Sequence, residues 1–158
     1  MKIVRTMKTA LLAMMAGAFV LFPAAPLAAE ESPAARPHPH GSLVIVLTTG
    51  LEDMQAVNSS LRHARIIKES GYLENVVWLA YGRGVQALAG GMKARPAETA
   101  ELARQTQAAG IPLIACRTAL AGMGIPEESL DPKPAQVVPQ GVVKLAELVS
   151  LGYEIIRY

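Results

Sequence analysis

Leu43-Val44-Ile45-Val46-Leu47, running into Thr48-Thr49-Gly50, is the stretch on which the fold turns. An unbroken apolar run of strand length, rich in β-branched residues and without polar alternation, reads as a strand covered on both faces. Such burial belongs to parallel α/β sheets, and the run is expected at the centre of one. Immediately downstream, Met54, Val57, Leu61, Ala64 and Ile67 recur at three- and four-residue spacing, which predicts an amphipathic helix. Asp53 is placed as its N-cap, the ordinary reading of the Glu52-Asp53 pair, and Gly71 as the left-handed residue that stops it.

The same alternation continues along the chain. Asn75 to Tyr81 forms a second buried strand closed by Gly82-Arg83-Gly84, with a short helix through Leu88. Pro96 opens a helix ending at Gly110, with Thr99, Leu102, Thr106 and Ala109 on its buried side. Ile111 to Ala115 is a third strand, which places Cys116 at its carboxyl end. Gln136 to Val138 makes a short fourth strand. Val142, Leu145, Ala146 and Val149 line the inner face of a last helix, Gly152 caps it, and Tyr153 to Tyr158 is the fifth strand. The expected architecture is a flavodoxin- or Rossmann-like layered α/β/α domain over residues 42–158, with a mostly parallel sheet of about five strands.

Residues 1–29 read as a secretory signal peptide. Lys2, Arg5 and Lys8 precede an apolar run from Thr9 to Phe22, too short for a comfortable membrane span, and Leu27-Ala28-Ala29 offers a cleavage site before Glu30. An uncleaved N-terminal anchor is the alternative, and both readings export the domain to the periplasm or beyond. Residues 30–41, with Pro33, Pro37 and Pro39, read as a flexible linker. The net charge of +2 resides in the leader: removing three of 15 basic residues leaves 12 against 13 acidic ones, or −1. A near-neutral domain with 4% aromatic residues has neither the field nor the stacking surfaces that nucleic-acid binding needs, and once cleaved it has no stable hold on a membrane.

Parallel strands gather their carboxyl ends along one edge, where such folds place their sites. That edge should hold Thr48, Thr49, Gly50, Tyr81, Gly82, Arg83, Gly84, Cys116 and Arg117. Cys116 stands out because the chain has no second cysteine to pair with. At a strand end entering a helical turn, with Arg117 adjacent, a thiolate is favoured. Against this stands the reading of a buried, inert cysteine that merely finishes a strand. Without Cys-x-x-Cys, no intramolecular dithiol cycle is available. Gly82-Arg83-Gly84-Val85-Gln86-Ala87 formally fits a dinucleotide-binding turn, but the next strand ends in Ala115-Cys116 where a ribose-binding acid is wanted, so a plain tight turn is favoured. His38, His40 and His63 provide too few fixed ligands for a metal, Glu127-Glu128 reads as a solvated turn, and no cofactor is implied.

The segments Val76 to Val85, Gly110 to Cys116, Leu130-Asp131-Pro132, Val137 to Val142 and Gly152 to Arg157, in that order and spacing, resemble the DsrE-like family. The resemblance implies a flavodoxin-like subunit assembling into trimers or hexamers. In several members it also implies a cysteine that accepts sulfane sulfur as a persulfide and passes it on, a role that maps to Cys116. Arg117, Thr118, Gly82, Arg83 and Gly84 would surround the sulfur, with Arg117 and backbone N–H groups stabilising its charge. This chain has Arg117-Thr118-Ala119-Leu120 where many relatives carry an Asn-Thr pair before a Leu. The partners implied are further copies of the chain, with the apolar first helix as the expected contact, and a sulfur donor or acceptor protein. The alternatives are a non-catalytic oligomeric binding module and small-ligand or nucleotide binding at the Gly82 to Gly84 turn.

Overall fold

The computed structural model describes residues 41–158; the leader and nearly all of the linker lie outside the described residues. Five strands, β1 (Ser42–Leu47), β2 (Asn75–Ala80), β3 (Leu113–Cys116), β4 (Gln136–Val138) and β5 (Tyr153–Arg157), form one sheet in the order β4-β3-β2-β1-β5. Every pairing is parallel, with Leu43 opposite Val76, Trp78 opposite Leu113, Cys116 opposite Val138 and Val44 opposite Ile155. The apolar run of β1 is interior as expected, flanked by β2 and β5. The central position belongs to β2, because β5 returns to the far side of β1.

The two sheet faces are covered unequally. Leu43, Ile45, Leu47, Trp78 and Leu113 face a large core with α1 (Met54–Ser70) and α2 (Ala97–Ala108), the 3-10 helix Gly82–Leu88 and α3 (Arg117–Gly122). The opposite face packs Val44, Val46, Val77, Leu79 and Ile114 against Leu145 and Leu148 of α4 (Gly141–Ser150). Because side chains alternate along a strand, an unbroken apolar run feeds both cores.

Local signals explain the helix ends. Asp53 accepts the Ala56 N–H at 2.9 Å, and Gly71, at φ 73°, lets the chain leave α1 in the left-handed conformation. Pro96 is the N-cap of α2 rather than its first residue, one position from expectation. Polar groups buried between α1, α2 and the sheet are paired: Trp78 Nε1 donates to Ser60 Oγ (3.0 Å), Thr99 Oγ1 to Asn58 Oδ1 (2.8 Å) and Thr106 Oγ1 to Leu61 O (3.2 Å). These bonds fix the α1/α2 layer as well as burying it.

Three expectations need correction. The third strand starts at Leu113 because Pro112 has no N–H for the ladder, although its carbonyl accepts from Trp78 N. The inner face of α4 comprises Gly141, Leu145 and Leu148; Val142, Ala146 and Val149 point away from the core. The helix has apolar residues nearly all round, so periodicity alone could not choose its buried stripe. The apolar stripe of the first helix is covered by α2 and the sheet of its own chain, and while Ile66 on α1 and Tyr72 just after it stay exposed, most exposed large apolar residues gather on and around α4 and β5: Val142, Val143, Val149, Leu151, Ile155 and Ile156.

Candidate functional site

In a doubly wound sheet the usual crevice opens where the strand order reverses, here between β1 and β5. That place is narrowed by Tyr158, which follows β5, to a pocket of about 290 Å³ bordered by Asp53, Gln55, Ser59, His63 and Tyr158. Thr48 N and Oγ1 both donate to Tyr158 O, at 2.9 and 3.2 Å, while Tyr158 N donates to Val46 O at 2.8 Å. Burial raises the Tyr158 phenol above its ordinary pKa, and its hydroxyl pairs with His63 Nδ1. The thiol lies two strands away.

Cys116 is the last residue of β3 and the N-cap of α3, with extended backbone at φ −86° and ψ 116°. Its residue is only 6% exposed, yet it borders a pocket of about 380 Å³ with Tyr81, Gly82, Thr118, Ala119, Gln140 and Val142. The first N–H of α4, that of Gly141, points at Sγ from 3.2 Å. A helix N-terminal N–H has no intrahelical acceptor and carries partial positive charge, so it suits an anionic sulfur. The approach requires glycine. A Cβ on Gly141 would lie 2.6 Å from Tyr81 Cβ and 3.1 Å from Cys116 Cβ.

Thr118 holds this arrangement from the other side. Its N–H and Oγ1 both donate to Pro139 O, at 3.2 and 2.8 Å, tying the start of α3 to the loop that delivers Gln140 and Gly141. Arg117 is directed elsewhere: its Nε donates to Glu127 Oε1 at 2.6 Å, and that bond and charge raise the guanidinium pKa. Glu127 is therefore an ion-pair partner as well as part of a surface turn.

The glycine turn after β2 divides into separate roles. Gly82 adopts φ +56°, which favours glycine, and borders the Cys116 pocket. Gly84 is packed, since a Cβ there would sit 2.2 Å from Leu47 O. Arg83 pairs with Glu52 at 2.8 Å. The Glu52 carboxyl is held below its ordinary pKa by its own backbone N–H, then by that of Gly50 and by the charge of Arg83. The close glycine approach is thus used for strand-to-helix packing.

The structure unites Cys116, Thr118 and Gly82 at one pocket and turns Arg83 and Arg117 toward carboxylates. Gln140, Gly141 and Val142 join them without having been singled out as site residues. Their sequence signal was the Val137 to Val142 segment, but nothing in that segment says it crosses to β3. Among the described residues, no group of three or more His, Cys, Asp or Glu could hold a metal.

A parallel α/β domain with one thiol at a strand end, beneath the N-terminus of its last helix, is the class that fold and site define. The chain belongs to the DsrE/DsrF-like family, whose pattern matches residues 41–158. No curated protein matches the sequence. Among solved structures, the ychN protein from E. coli superposes with a TM-score of 0.63 at 20% identity, over 75% of this chain and 100% of its own. A protein of unknown function from Methanobacterium thermoautotrophicum gives 0.61 at 21% identity, over 75% of this chain and 100% of its own. A conserved protein of unknown function from Bacteroides thetaiotaomicron gives 0.57 at 16%, over 74% and 95%. At these identities the likeness establishes the fold.

Proposed function

We propose that this protein is an exported sulfur carrier that binds or relays sulfane sulfur as a persulfide on Cys116. The observation that carries the reading is the Gly141 N–H placed 3.2 Å from Sγ at the edge of an open pocket. An inert core cysteine has no need of a helix terminus that only glycine can bring so close. Membership in a family where several members carry sulfur on a strand-end cysteine supports the same role.

In the reaction, the Cys116 thiol gives its proton to water and the thiolate attacks the outer sulfur of a donor R–S–SH. The Sγ–S bond forms, the donor S–S bond breaks, and R–S⁻ leaves with the bonding electron pair. Transfer to an acceptor thiolate is the same exchange in reverse, so no external oxidant is consumed. The Gly141 N–H stabilises the anionic sulfur at Sγ before attack and again when Sγ leaves. Thr118 acts as a positioning residue through Pro139.

Intact mass of the purified protein after exposure to a small-molecule persulfide tests the proposal. One or more sulfur atoms should add, and Cys116→Ser should add none. A folded wild-type protein that gains no sulfur, with Cys116 resistant to alkylation, would overturn it. The leader supports export, and N-terminal sequencing of periplasmic protein should begin at Glu30; full-length protein confined to the cytoplasm would refute that part.

The second reading, a non-catalytic oligomeric binding module of the same fold, draws on the apolar surface of α4 and β5. Its oligomeric part is shared with the first reading, because Val142 belongs both to that surface and to the pocket rim. Assembly through this surface is part of the proposal.

A further inference from the structure

The chemistry of the pocket walls indicates which donor it accepts, given the persulfide reading of Cys116 on which this inference rests. Tyr81, Ala119 and Val142 supply apolar surface, and Thr118 and Gln140 are the polar side chains. The Thr118 hydroxyl already donates to Pro139 O. Cations stand nearby in sequence, but each is matched to a carboxylate: Arg83 to Glu52 at 2.8 Å, Arg117 to Glu127 at 2.6 Å and Lys144 to Glu147 at 2.7 Å. Among the described residues, the positive feature aimed at the sulfur is the Gly141 N–H, which serves the thiolate itself.

Sites that bring a second anion beside a charged group commonly add an unspent Arg or Lys to the backbone donors. Here an incoming sulfane anion would meet a thiolate in an apolar recess that, among the described residues, offers no unpaired cation to bridge them. We propose that the Cys116 pocket selects uncharged, apolar sulfur, zero-valent sulfur in ring or chain form, over sulfane anions such as thiosulfate. Its volume of about 380 Å³ is of small-molecule size. With cyclo-octasulfur, the thiolate attacks one ring sulfur, an Sγ–S bond forms and one ring S–S bond breaks. The electron pair stays on the far end of the opened chain, so no atom leaves and no oxidant is needed.

The test exposes purified protein separately to dispersed cyclo-octasulfur and to thiosulfate, follows sulfur gain at Cys116 by intact mass, and divides each rate by that of free N-acetylcysteine under the same conditions. The ratio for ring sulfur should exceed that for thiosulfate by about tenfold or more, and Gln140→Lys, which adds a cation at an exposed rim position outside the apolar surface of α4 and β5, should raise the thiosulfate ratio about tenfold. Equal ratios, or a folded Gln140→Lys protein with unchanged thiosulfate loading, would overturn the selectivity while leaving the persulfide reading intact. If neither these donors nor a small-molecule persulfide add sulfur although iodoacetamide alkylates Cys116, the persulfide reading fails and the selectivity with it.

Discussion

Replacing Gly141 by alanine tests the site where its geometry is tightest. The new Cβ would lie 2.6 Å from Tyr81 Cβ and 3.1 Å from Cys116 Cβ, atoms fixed close to the backbone of β2 and β3. Ordinary carbon contacts need about 3.5–4 Å, so the start of α4 must retreat by about 1 Å. That movement takes Gly141 N from 3.2 Å to about 4 Å from Sγ and removes the hydrogen bond. Overpacking costs about 1–3 kcal/mol, offset by up to about 1 kcal/mol from the better helix propensity of alanine. A net loss of about 1–2 kcal/mol should lower the urea midpoint while leaving the protein folded. Loss of a bond to a charged sulfur, taken at about 1.5 kcal/mol, should slow sulfur loading about tenfold. Urea titration and intact-mass kinetics on the same preparation measure both. A variant with wild-type midpoint and wild-type loading would refute the claim that glycine is required here to bring the helix terminus to the thiol.

Ser60→Ala removes the acceptor of the buried Trp78 indole N–H and should destabilise by about 1–3 kcal/mol, read from the urea midpoint, with sulfur loading of the folded protein unchanged. Thr118→Val deletes the hydroxyl bond to Pro139 O; it should cost about 1 kcal/mol and slow sulfur loading, whereas an effect on stability alone would deny its positioning role. Val143→Glu combined with Leu151→Glu puts charge into the exposed surface of α4 and its C-cap and should shift sedimentation from oligomer to monomer, with the far-ultraviolet circular dichroism preserved. Because the folded pKa of Glu52 is lowered, its contribution to stability is present above the ordinary carboxylate pKa and is lost as pH falls through the folded value. Thermal unfolding of Glu52→Gln across that range should therefore show a shallower acid dependence than the wild type.

The elements were legible where sequence acts locally. The apolar run of β1 announced a strand buried on both faces, Asp53 and Gly71 marked the ends of α1, and Cys116 fell at the end of β3 because the strand signal stopped there. Legibility failed on α4, whose apolar residues surround the helix, and on the first helix, where an apolar face did not reveal whether its cover came from α2 or from another subunit. Arg117 illustrates the same limit at the site. Its adjacency to Cys116 in sequence suggested a partner for the sulfur, but neighbours on a chain entering a helix point apart, and Glu127 receives the guanidinium.

By itself the sequence determined a parallel α/β domain, its family and a lone thiol at the carboxyl edge, because periodicity, caps and strand ends depend on residues close together in the chain. Only the tertiary structure decided what meets that thiol. Gly141 lies 25 residues from Cys116, and the two come together because β3 and β4 pair in register and Thr118 ties the intervening loop down. Strand order also settled which recess holds the thiol, since Tyr158 borders a separate pocket at the point of reversal beside β1 and the Cys116 recess opens at β3. Such contacts are set by sheet registration and packing, for which one linear pattern admits several solutions.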